Sequence, residues 1–282
     1  MEKREPIISV ITPVLNGVQF VDRCIENVVS QGISSVEHIL VDGGSTDGSE
    51  SRMKAASVKY DHVRLILAPG SNQADSMNKG IAAATGRVLA TLNVDDFYTA
   101  GTLNEVADLF KSLEEPAFVV GNCKLLAVGD RIIYTSRPSD LQIGKLVLCG
   151  LRKHCFPVNP SSYFYHRSLH ATVGIYDVDL DFTLDVDFVL RAVQGAKVKY
   201  VNRDWGNFRL LPGTKTYQDY VATLNGPERV RPLIMKHIRR LPICERIPVE
   251  LLYRVYFCGF KVWRWHQRLG ARSFLKRHSS RN

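Results

Sequence analysis

The chain has 282 residues, of which 45% are hydrophobic and 23% are charged, enough for one large or two small globular domains with a substantial core. No apolar run reaches the roughly 18 residues of a membrane span. The formal net charge of +9 comes from the end of the chain, because residues 228–282 carry 14 Lys and Arg against 3 Asp and Glu, while the rest is slightly acidic.

The cysteines and the N-terminus predict a reduced, cytoplasmic setting. The N-terminal sequence enters a strand pattern almost at once, so we expect no signal peptide. No pair of cysteines has CxxC spacing, so neither a zinc site nor a disulfide framework is predicted. The six cysteines are Cys24, Cys123, Cys149, Cys155, Cys244 and Cys258.

Strand and helix patterns alternate through the first 113 residues. Apolar runs predict strands at 8–14, 37–44, 63–68 and 86–96. Helical spacing of apolar residues predicts helices at 20–31, 74–86 and 102–113. This alternation predicts βαβ units and a mostly parallel sheet, whose ligands lie outside the carboxyl ends of the strands. Asp42 and the pair Asp95–Asp96 fall at two such ends, which is the first indication of a site.

The second half of the chain is less regular. We predict a hairpin over 123–136 that turns at Gly129–Asp130. A short aromatic strand follows at 161–168, then a helix at 184–195 and a strand at 197–201. After about Tyr217 the sequence becomes helical, basic and aromatic.

Asp95 and Asp96 are adjacent carboxylates at the end of a predicted buried strand. Two neighbouring acids repel each other, so the pair indicates a missing positive partner. Mg²⁺ and Mn²⁺ take oxygen ligands, often only one or two carboxylates, and leave positions for water and substrate phosphates. The pair therefore predicts a divalent-metal site, and a solvated turn in which Asp96 caps a helix is the alternative.

Two further acids are candidates for chemistry. Asp42 precedes Gly43 and Gly44, which allow a tight turn and close approach of a ligand, so its carboxylate could accept from a ribose hydroxyl or a base N–H. The spacing matches neither GxGxxG nor the P-loop. Asp185, like Asp187, begins a predicted helix, where an acid either compensates the helix dipole or acts as a general base. Spacing alone leaves both interpretations open.

Five segments, taken in order and with their gaps, resemble glycosyltransferase family 2. They are ISVITPVLNG, LVDGGSTDGS, ADSMNKGIAAATGRVLATLNVDDFY, PSSYFYHRSLHATVGIYDVDLDFTLDVDFVLR and FRLLPGTKT. The resemblance covers roughly residues 7–217. It implies an α/β fold of the GT-A type, a Rossmann-like, mostly parallel sheet flanked by helices. A nucleotide-sugar-binding half (1–100) and an acceptor half (101–217) would precede a basic helical tail (218–282).

The resemblance also implies a site. Asp95 and Asp96 would hold Mg²⁺ or Mn²⁺ with the donor's diphosphate. Asp185, in the pattern D-x-x-F-x-x-R, would be the catalytic base of an inverting single displacement. Arg209 and Lys215 are candidate diphosphate contacts. The residues implied to bind the nucleotide-sugar are Thr12, Pro13, Asp42, Asn78, Lys79, Asn93, Asp95 and Asp96.

Three positions depart from the family pattern. Asn93 replaces the first acid of the common DxD form, so metal binding falls to the two acids that come after it. Gly43 stands where many members have a second acid that reads the base. Leu211 and Pro212 occupy a region where relatives often have a histidine. The identity of the nucleotide and the help given to the leaving group therefore stay open.

The sequence predicts a metal-dependent, inverting glycosyltransferase that moves a sugar from a nucleotide-diphosphate-sugar to a hydroxyl of a glycan or lipid-linked glycan. Its expected setting is the assembly of a bacterial surface polysaccharide. One alternative is a sugar nucleotidyltransferase, which should carry a Gly-rich, Arg/Lys-bearing loop where TPVLNGVQF has none. The other is a non-catalytic membrane-associated scaffold, which loss of Asp95, Asp96 or Asp185 would favour.

The basic tail allows two interpretations. Its helix either lies in a membrane interface, with basic residues drawn to an anionic leaflet, or packs its aromatic face on the catalytic domain. No nucleic-acid-binding motif accompanies the charge, so we expect no nucleic-acid partner and a location at the inner face of the cell membrane. Helical spacing over 248–270 places on one face Val249, Leu252, Tyr253, Tyr256, Phe260 and Trp263.

Overall fold

A computed structural model of the protein describes residues 5–148, 156–218 and 226–279, with side chains as far as Lys261. The strands in these ranges are β1 (Ile8–Val14), β2 (Val36–Asp42), β3 (Val63–Leu67), β4 (Val88–Thr91), β5 (Phe97–Tyr98), β6 (Ala117–Ala127), β7 (Arg131–Ser136), β8 (Tyr163–His166) and β9 (Lys197–Arg209). The helices are α1 (Val21–Val29), α2 (Ser49–Lys59), α3 (Gln73–Ala83), α4 (Thr102–Phe110), α5 (Ile143–Leu146), α6 (Leu169–Val173), α7 (Leu184–Gly195), α8 (Lys215–Tyr217), α9 (Gly226–Arg240) and α10 (Ile243–Ser279).

One sheet organises the described part of the chain. Its strand order is β3-β2-β1-β4-β8-β6-β9-β5, and β7 pairs with β6. Strands β1 to β4 form a parallel half. Strand β8 runs antiparallel to both β4 and β6, and β9 runs parallel to β6. The α/β fold with a mostly parallel sheet flanked by helices is confirmed.

The parallel half aligns the strand ends that carry the predicted site. Asp42 pairs with Val14 at the end of β1, and Thr91 at the end of β4 pairs with Ile11. Every residue of β2 is buried, as expected for a strand covered by helices on both faces. Helix α3 lies close to the sheet because it has Gly80 there. A Cβ at that position would stand 2.4 Å from Cγ2 of Ile11.

Two strands differ from the prediction. The strand predicted at 197–201 continues to Arg209, because its second part pairs with both β5 and β6 and has Trp205 and the residues after it buried or half-buried. Strand β5 itself has only two residues and no periodicity to reveal it. The hairpin turn at Gly129–Asp130 is confirmed, although β6 begins at Ala117.

Helix α9 and the start of α10 contribute side chains to the same buried core as the sheet. Ile234, Met235 and Ile238 of α9 and Tyr253 of α10 belong to the same buried cluster as the sheet residues. A domain boundary near residue 217 stays a prediction. None of the helices in the described ranges combines the length and apolar content needed to cross a bilayer.

Of the apolar face predicted for the tail, Tyr253 is buried, Val249, Tyr256 and Phe260 are half-buried, and Leu252 is 52% exposed. Phe257, which lies outside that predicted face, is also buried. The side chain of Trp263 lies outside the described part of the chain. Of the cysteines, those in the described ranges are free thiols: Cys24, Cys123, Cys244 and Cys258. Cys149 and Cys155 lie outside those ranges.

Candidate active site

Asp96 is a buried carboxylate that protein donors already surround. It is 2% exposed. The backbone N–H of Arg209 donates to Oδ1 at 3.0 Å. The side-chain amides of Asn159 and Asn93 donate to Oδ2 at 2.7 and 3.1 Å. With both oxygens engaged from three segments of the chain, Asp96 fixes the shape of the loop after β4.

Asp95 is the carboxylate that the loop leaves available. It is half-buried, and among the described residues only its own backbone amide donates to it. Burial raises the pKa of Asp95 against the opposing charge of Arg209. Burial and then the charge of Asp95 raise the pKa of Asp96 well above its usual value. A second cation beside Asp95 would relieve this repulsion, so the pair fits a divalent metal.

The described residues hold no group of three or more acid, histidine or cysteine side chains placed to bind one ion. A hard cation needs only one or two carboxylates from a protein, because water and substrate phosphates complete its coordination. Asp95 would be the protein ligand of this cation, and Asp96 would hold in place the loop that carries Asp95. The prediction that both acids bind metal stays a prediction, but their surroundings differ.

The predicted nucleoside end lies at the ends of β1 and β2. Asp42 is 1% exposed, and the N–H and Oγ of Ser45 donate to its Oδ1 at 3.1 and 2.5 Å. Thr12 is fully buried, and its hydroxyl lies 2.9 Å from Nε2 of His38. Burial, together with the nearby His62, lowers the pKa of His38 to about 3, so its ring is neutral. Pro13 is partly exposed at this edge.

Helix α3 joins the two halves of the site. The Asn78 side chain makes two hydrogen bonds to the backbone of Tyr176, donating to its carbonyl at 2.8 Å and accepting from its N–H at 2.9 Å. Nζ of Lys79 donates to Ser71 at 2.5 Å and to Asp75 at 2.9 Å. Asn78 therefore anchors the segment that precedes α7, and Lys79 is tied to its own helix and the loop before it.

Asp185 is half-buried in the first turn of α7. Burial raises its pKa to about 6, and a hydrogen bond from the Tyr163 hydroxyl, at 3.5 Å from Oδ1, opposes that rise. A carboxylate with a pKa near 6 is largely ionised at neutral pH and is a stronger base than an exposed aspartate. It therefore suits removal of a proton from an attacking hydroxyl.

A single short segment contacts both groups of acids. Asn159 donates to Asp96, and Tyr163, four residues later, donates to Asp185. A 3₁₀ turn at Pro160–Ser162 separates them, so their Cα atoms lie at most about 14 Å apart. This segment therefore links Asp96 to the candidate base, and the prediction that both belong to one site stays a prediction.

Helix α9 reaches the turn that carries the candidate base. Nε2 of His237 donates to Oδ1 of Asp187 at 3.1 Å, and Nε of Arg191 donates to Oδ2 at 2.6 Å. Burial raises the pKa of Asp187, but the His237 hydrogen bond and then the Arg191 charge outweigh it and lower that pKa below its usual value. No sequence pattern indicates that His237 meets Asp187, 50 residues earlier.

The two candidate diphosphate contacts are already paired. Arg209 is 5% exposed, and its guanidinium makes two bonds to Asp130, at 2.7 and 3.2 Å, above the ring of Phe97. Lys215 pairs with Asp181. Arg209 therefore braces the loop of Asp95, whose carbonyl also accepts from it at 3.2 Å. Both diphosphate roles stay predictions.

The model of glycosyl transferase family 2 matches residues 9–149. The PGL/p-HBAD biosynthesis glycosyltransferase of Mycobacterium tuberculosis is 32% identical over 193 residues, which are 66% of this chain and 69% of that protein. The chain belongs to glycosyl transferase family 2. An uncharacterized glycosyltransferase of Rickettsia conorii is 26% identical over 69% of this chain, which spans only 32% of that relative.

Solved structures support the family 2 fold. S. aureus TarS, residues 1–349, in complex with UDP-GlcNAc has a TM-score of 0.65 at 18% identity and covers 86% of this chain and 70% of its own. The mannosyltransferase PcManGT from Pyrobaculum calidifontis, in complex with GDP-Man and Mn²⁺, has a TM-score of 0.54 at 15% identity, with 96% and 80% covered.

Two residues that the sequence does not assign to the site bond to its candidate acids. Tyr163 lies in the predicted aromatic strand, inside a segment that resembles family 2, and Asn159 immediately precedes that segment. The dipeptide Asn159–Pro160 was the available signal, because an Asn before a Pro commonly begins a turn and its side chain then faces neighbouring backbone. Its Oδ1 accepts from the N–H and Oγ of Ser161 at 2.9 and 2.6 Å, which leaves its amide for Asp96.

Proposed function

We propose that this family 2 protein is a metal-dependent, inverting glycosyltransferase that uses a nucleotide-diphosphate-sugar donor. The observation that supports the proposal is the short segment from Asn159 to Tyr163, which bonds at one end to Asp96, the neighbour of the available Asp95, and at the other end to the candidate base Asp185. The complexes of TarS with UDP-GlcNAc and of PcManGT with GDP-Man and Mn²⁺ support the choice of donor class.

Asp185 would act as the general base. Its carboxylate takes the proton of an acceptor hydroxyl as that oxygen attacks the anomeric carbon of the donor sugar. The bond from this carbon to the diphosphate breaks, and its electron pair leaves on the diphosphate oxygen. A single displacement of this kind inverts the anomeric centre, and it needs the base on the face opposite the leaving group.

The loop after β4 would support departure of the diphosphate. A divalent cation held by Asp95 would supply charge neutralisation for that leaving group. Asp96 keeps the Asp95 loop in place through Asn93, Asn159 and the backbone of Arg209. Asp42, at the end of β2, would bind the nucleoside.

The acceptor would be a hydroxyl of a glycan or of a lipid-linked glycan, in the assembly of a bacterial surface polysaccharide. Such an acceptor places the enzyme at the inner face of the cell membrane, as a peripheral protein. The concentration of basic residues in 228–282 supports this location, since anionic lipids attract Lys and Arg. This placement is separable from the transfer reaction and is tested separately.

The test is a calorimetric titration with UDP, GDP, dTDP and CMP, each with and without Mn²⁺. We compare the wild type with Asp95→Asn and Asp96→Asn. The matched control is Asp108→Asn, an acid on α4 whose side chain is 74% exposed. We expect one nucleoside diphosphate to bind more tightly with Mn²⁺ than without it. Asp95→Asn should abolish this gain in affinity without loss of thermal stability.

Asp96→Asn should lower both nucleotide affinity and stability, because it changes a buried group with three donors. The control should bind as the wild type does. Absence of binding to every nucleotide, in a folded protein, would favour the scaffold alternative. Tight binding that ignores Mn²⁺ and both variants would remove the metal from the proposal.

A further inference from the structure

Helix α10 has a second apolar face, which is exposed and distinct from the one that packs on the core. Ile243, Ile247, Leu251 and Val255 are spaced four residues apart and therefore lie along one side of the helix. They are exposed by 67%, 62%, 62% and 65%. We name these four residues the outer stripe. Tyr253 and Phe257, which pack inward, lie on the other side.

The outer stripe is a continuous row of large aliphatic side chains in water. Single exposed hydrophobic residues are normal on a protein surface, but a contiguous row commonly marks a surface that binds something. The stripe runs over residues 243–255, and its length therefore indicates an extended contact and not a single pocket.

Basic residues border the stripe. Arg246, Arg254 and Lys261 recur along one edge of the same helix, and Arg254, which is 60% exposed, pairs with Glu250 one turn earlier. An apolar row beside a basic row is the pattern of a helix that lies in a membrane interface. A second copy of this chain is a poor occupant, because each copy would bring the net +11 of residues 228–282 to the contact.

We propose that the outer stripe of α10 docks on an anionic lipid bilayer, with its aliphatic side chains in the interfacial region and Arg246, Arg254 and Lys261 at the headgroups. This inference rests on the proposed membrane location and is independent of the transfer chemistry. It assigns the contact to a different face from the one that the sequence suggests. Since Tyr253 and Phe257 hold the helix on the core, docking orients the catalytic half relative to the bilayer.

The test is flotation of the full chain with vesicles of phosphatidylcholine, alone or mixed with phosphatidylglycerol. The variant is Ile247→Glu with Leu251→Glu. The matched control is Val58→Glu, which adds a carboxylate at an aliphatic position of α2 that is 86% exposed. Thermal denaturation and the nucleotide titration, run on each protein, establish that the variants are folded and that donor binding is unchanged.

We expect the wild type and Val58→Glu to float with anionic vesicles and to be released by salt. The double variant should bind at least tenfold more weakly, because two aliphatic contacts are lost. Lys261→Gln should weaken binding by about fivefold, the contribution of one basic residue near an anionic surface.

Three results would overturn the inference. The double variant could bind vesicles as tightly as the wild type, or the wild type could bind neutral and anionic vesicles equally. The wild type could also ignore vesicles and form a dimer, by light scattering, that the double variant breaks; the stripe would then bind a second copy. Nucleotide binding that persists in any of these cases leaves the proposed transfer reaction standing.

Discussion

Replacing Tyr163 with Phe should move the acid limb of the pH–rate profile to higher pH. The Tyr163 hydroxyl donates to Asp185 at 3.5 Å and so favours the ionised carboxylate, while burial holds the pKa of Asp185 at about 6. Removal of the hydroxyl leaves burial without this opposing effect. The proton then stays on the base to a higher pH, and a protonated carboxyl cannot accept the proton of the acceptor.

The size of the change follows from the geometry. A hydrogen bond to a charged group is worth about 1.5–3 kcal/mol at ordinary length, and at 3.5 Å we take about 1 kcal/mol. That energy raises the pKa of Asp185 by about 0.7 pH units, to roughly 6.7. The ionised fraction then falls about threefold near pH 6 and by less than ~10% near pH 8.

The assay follows release of nucleoside diphosphate at saturating donor and acceptor between about pH 5 and pH 9, with the donor that the nucleotide titration selects. The control is Tyr165→Phe, the same change two residues along β8, where the hydroxyl lies 3.2 Å from Nε2 of His170 and, among the described residues, makes no hydrogen bond to Asp185. The reasoning is refuted if the two variants have superimposable profiles, or if the limb of Tyr163→Phe moves to lower pH.

Three further changes test other contacts. His237→Ala should cost about 1–3 kcal/mol in free energy of unfolding at pH 7, measured with a chemical denaturant, because the buried Asp187 carboxylate loses one hydrogen bond and keeps the one from Arg191. The fold lowers the pKa of Asp187, so this stability is present above the unfolded-state pKa of about 4 and fades as pH falls through the lower folded-state pKa. A difference in free energy of unfolding between the wild type and His237→Ala that stays constant down to strong acid would contradict this assignment. Gly206→Ala would place a Cβ 2.5 Å from Oγ of Ser161 and should displace the 3₁₀ turn at Pro160–Ser162. We expect nucleotide affinity, measured by calorimetry, to fall at least tenfold. Unchanged affinity would show that this turn does not support the donor site. Arg209→Lys loses the two-pronged ion pair and should lower the melting temperature with nucleotide affinity kept within about twofold, whereas the reverse result would make Arg209 a diphosphate contact.

The sequence predicts the parallel half of the fold well for a physical reason. Strands β1, β2 and β4 are buried on both faces, so they read as continuous apolar runs bounded by turn residues. Strand β5 has two residues and gains its place only by pairing with β9. The polar residues in the middle of β9 hide its length, because their pattern matches neither a buried strand nor a helix.

The site is predictable only where a local motif carries it. Asp95, Asp96 and Asp185 lie in motifs that can be recognised in one dimension. Asn159 and His237 act through contacts with residues 63 and 50 positions away, respectively. No periodicity or propensity encodes such a contact, and the different surroundings of the two adjacent acids also depend on it.

The sharing of one core between α9 and the sheet limits how this protein can be recombined. Ile234 and Ile238 lie inside the core, and His237 holds the turn of the candidate base. A chimera that joins a foreign tail at residue 217 would remove these side chains and expose the apolar surface that they cover. A junction after Leu241 keeps them but still removes Tyr253 of α10 from the same core, so a replacement for α10 must supply an apolar side chain at that position.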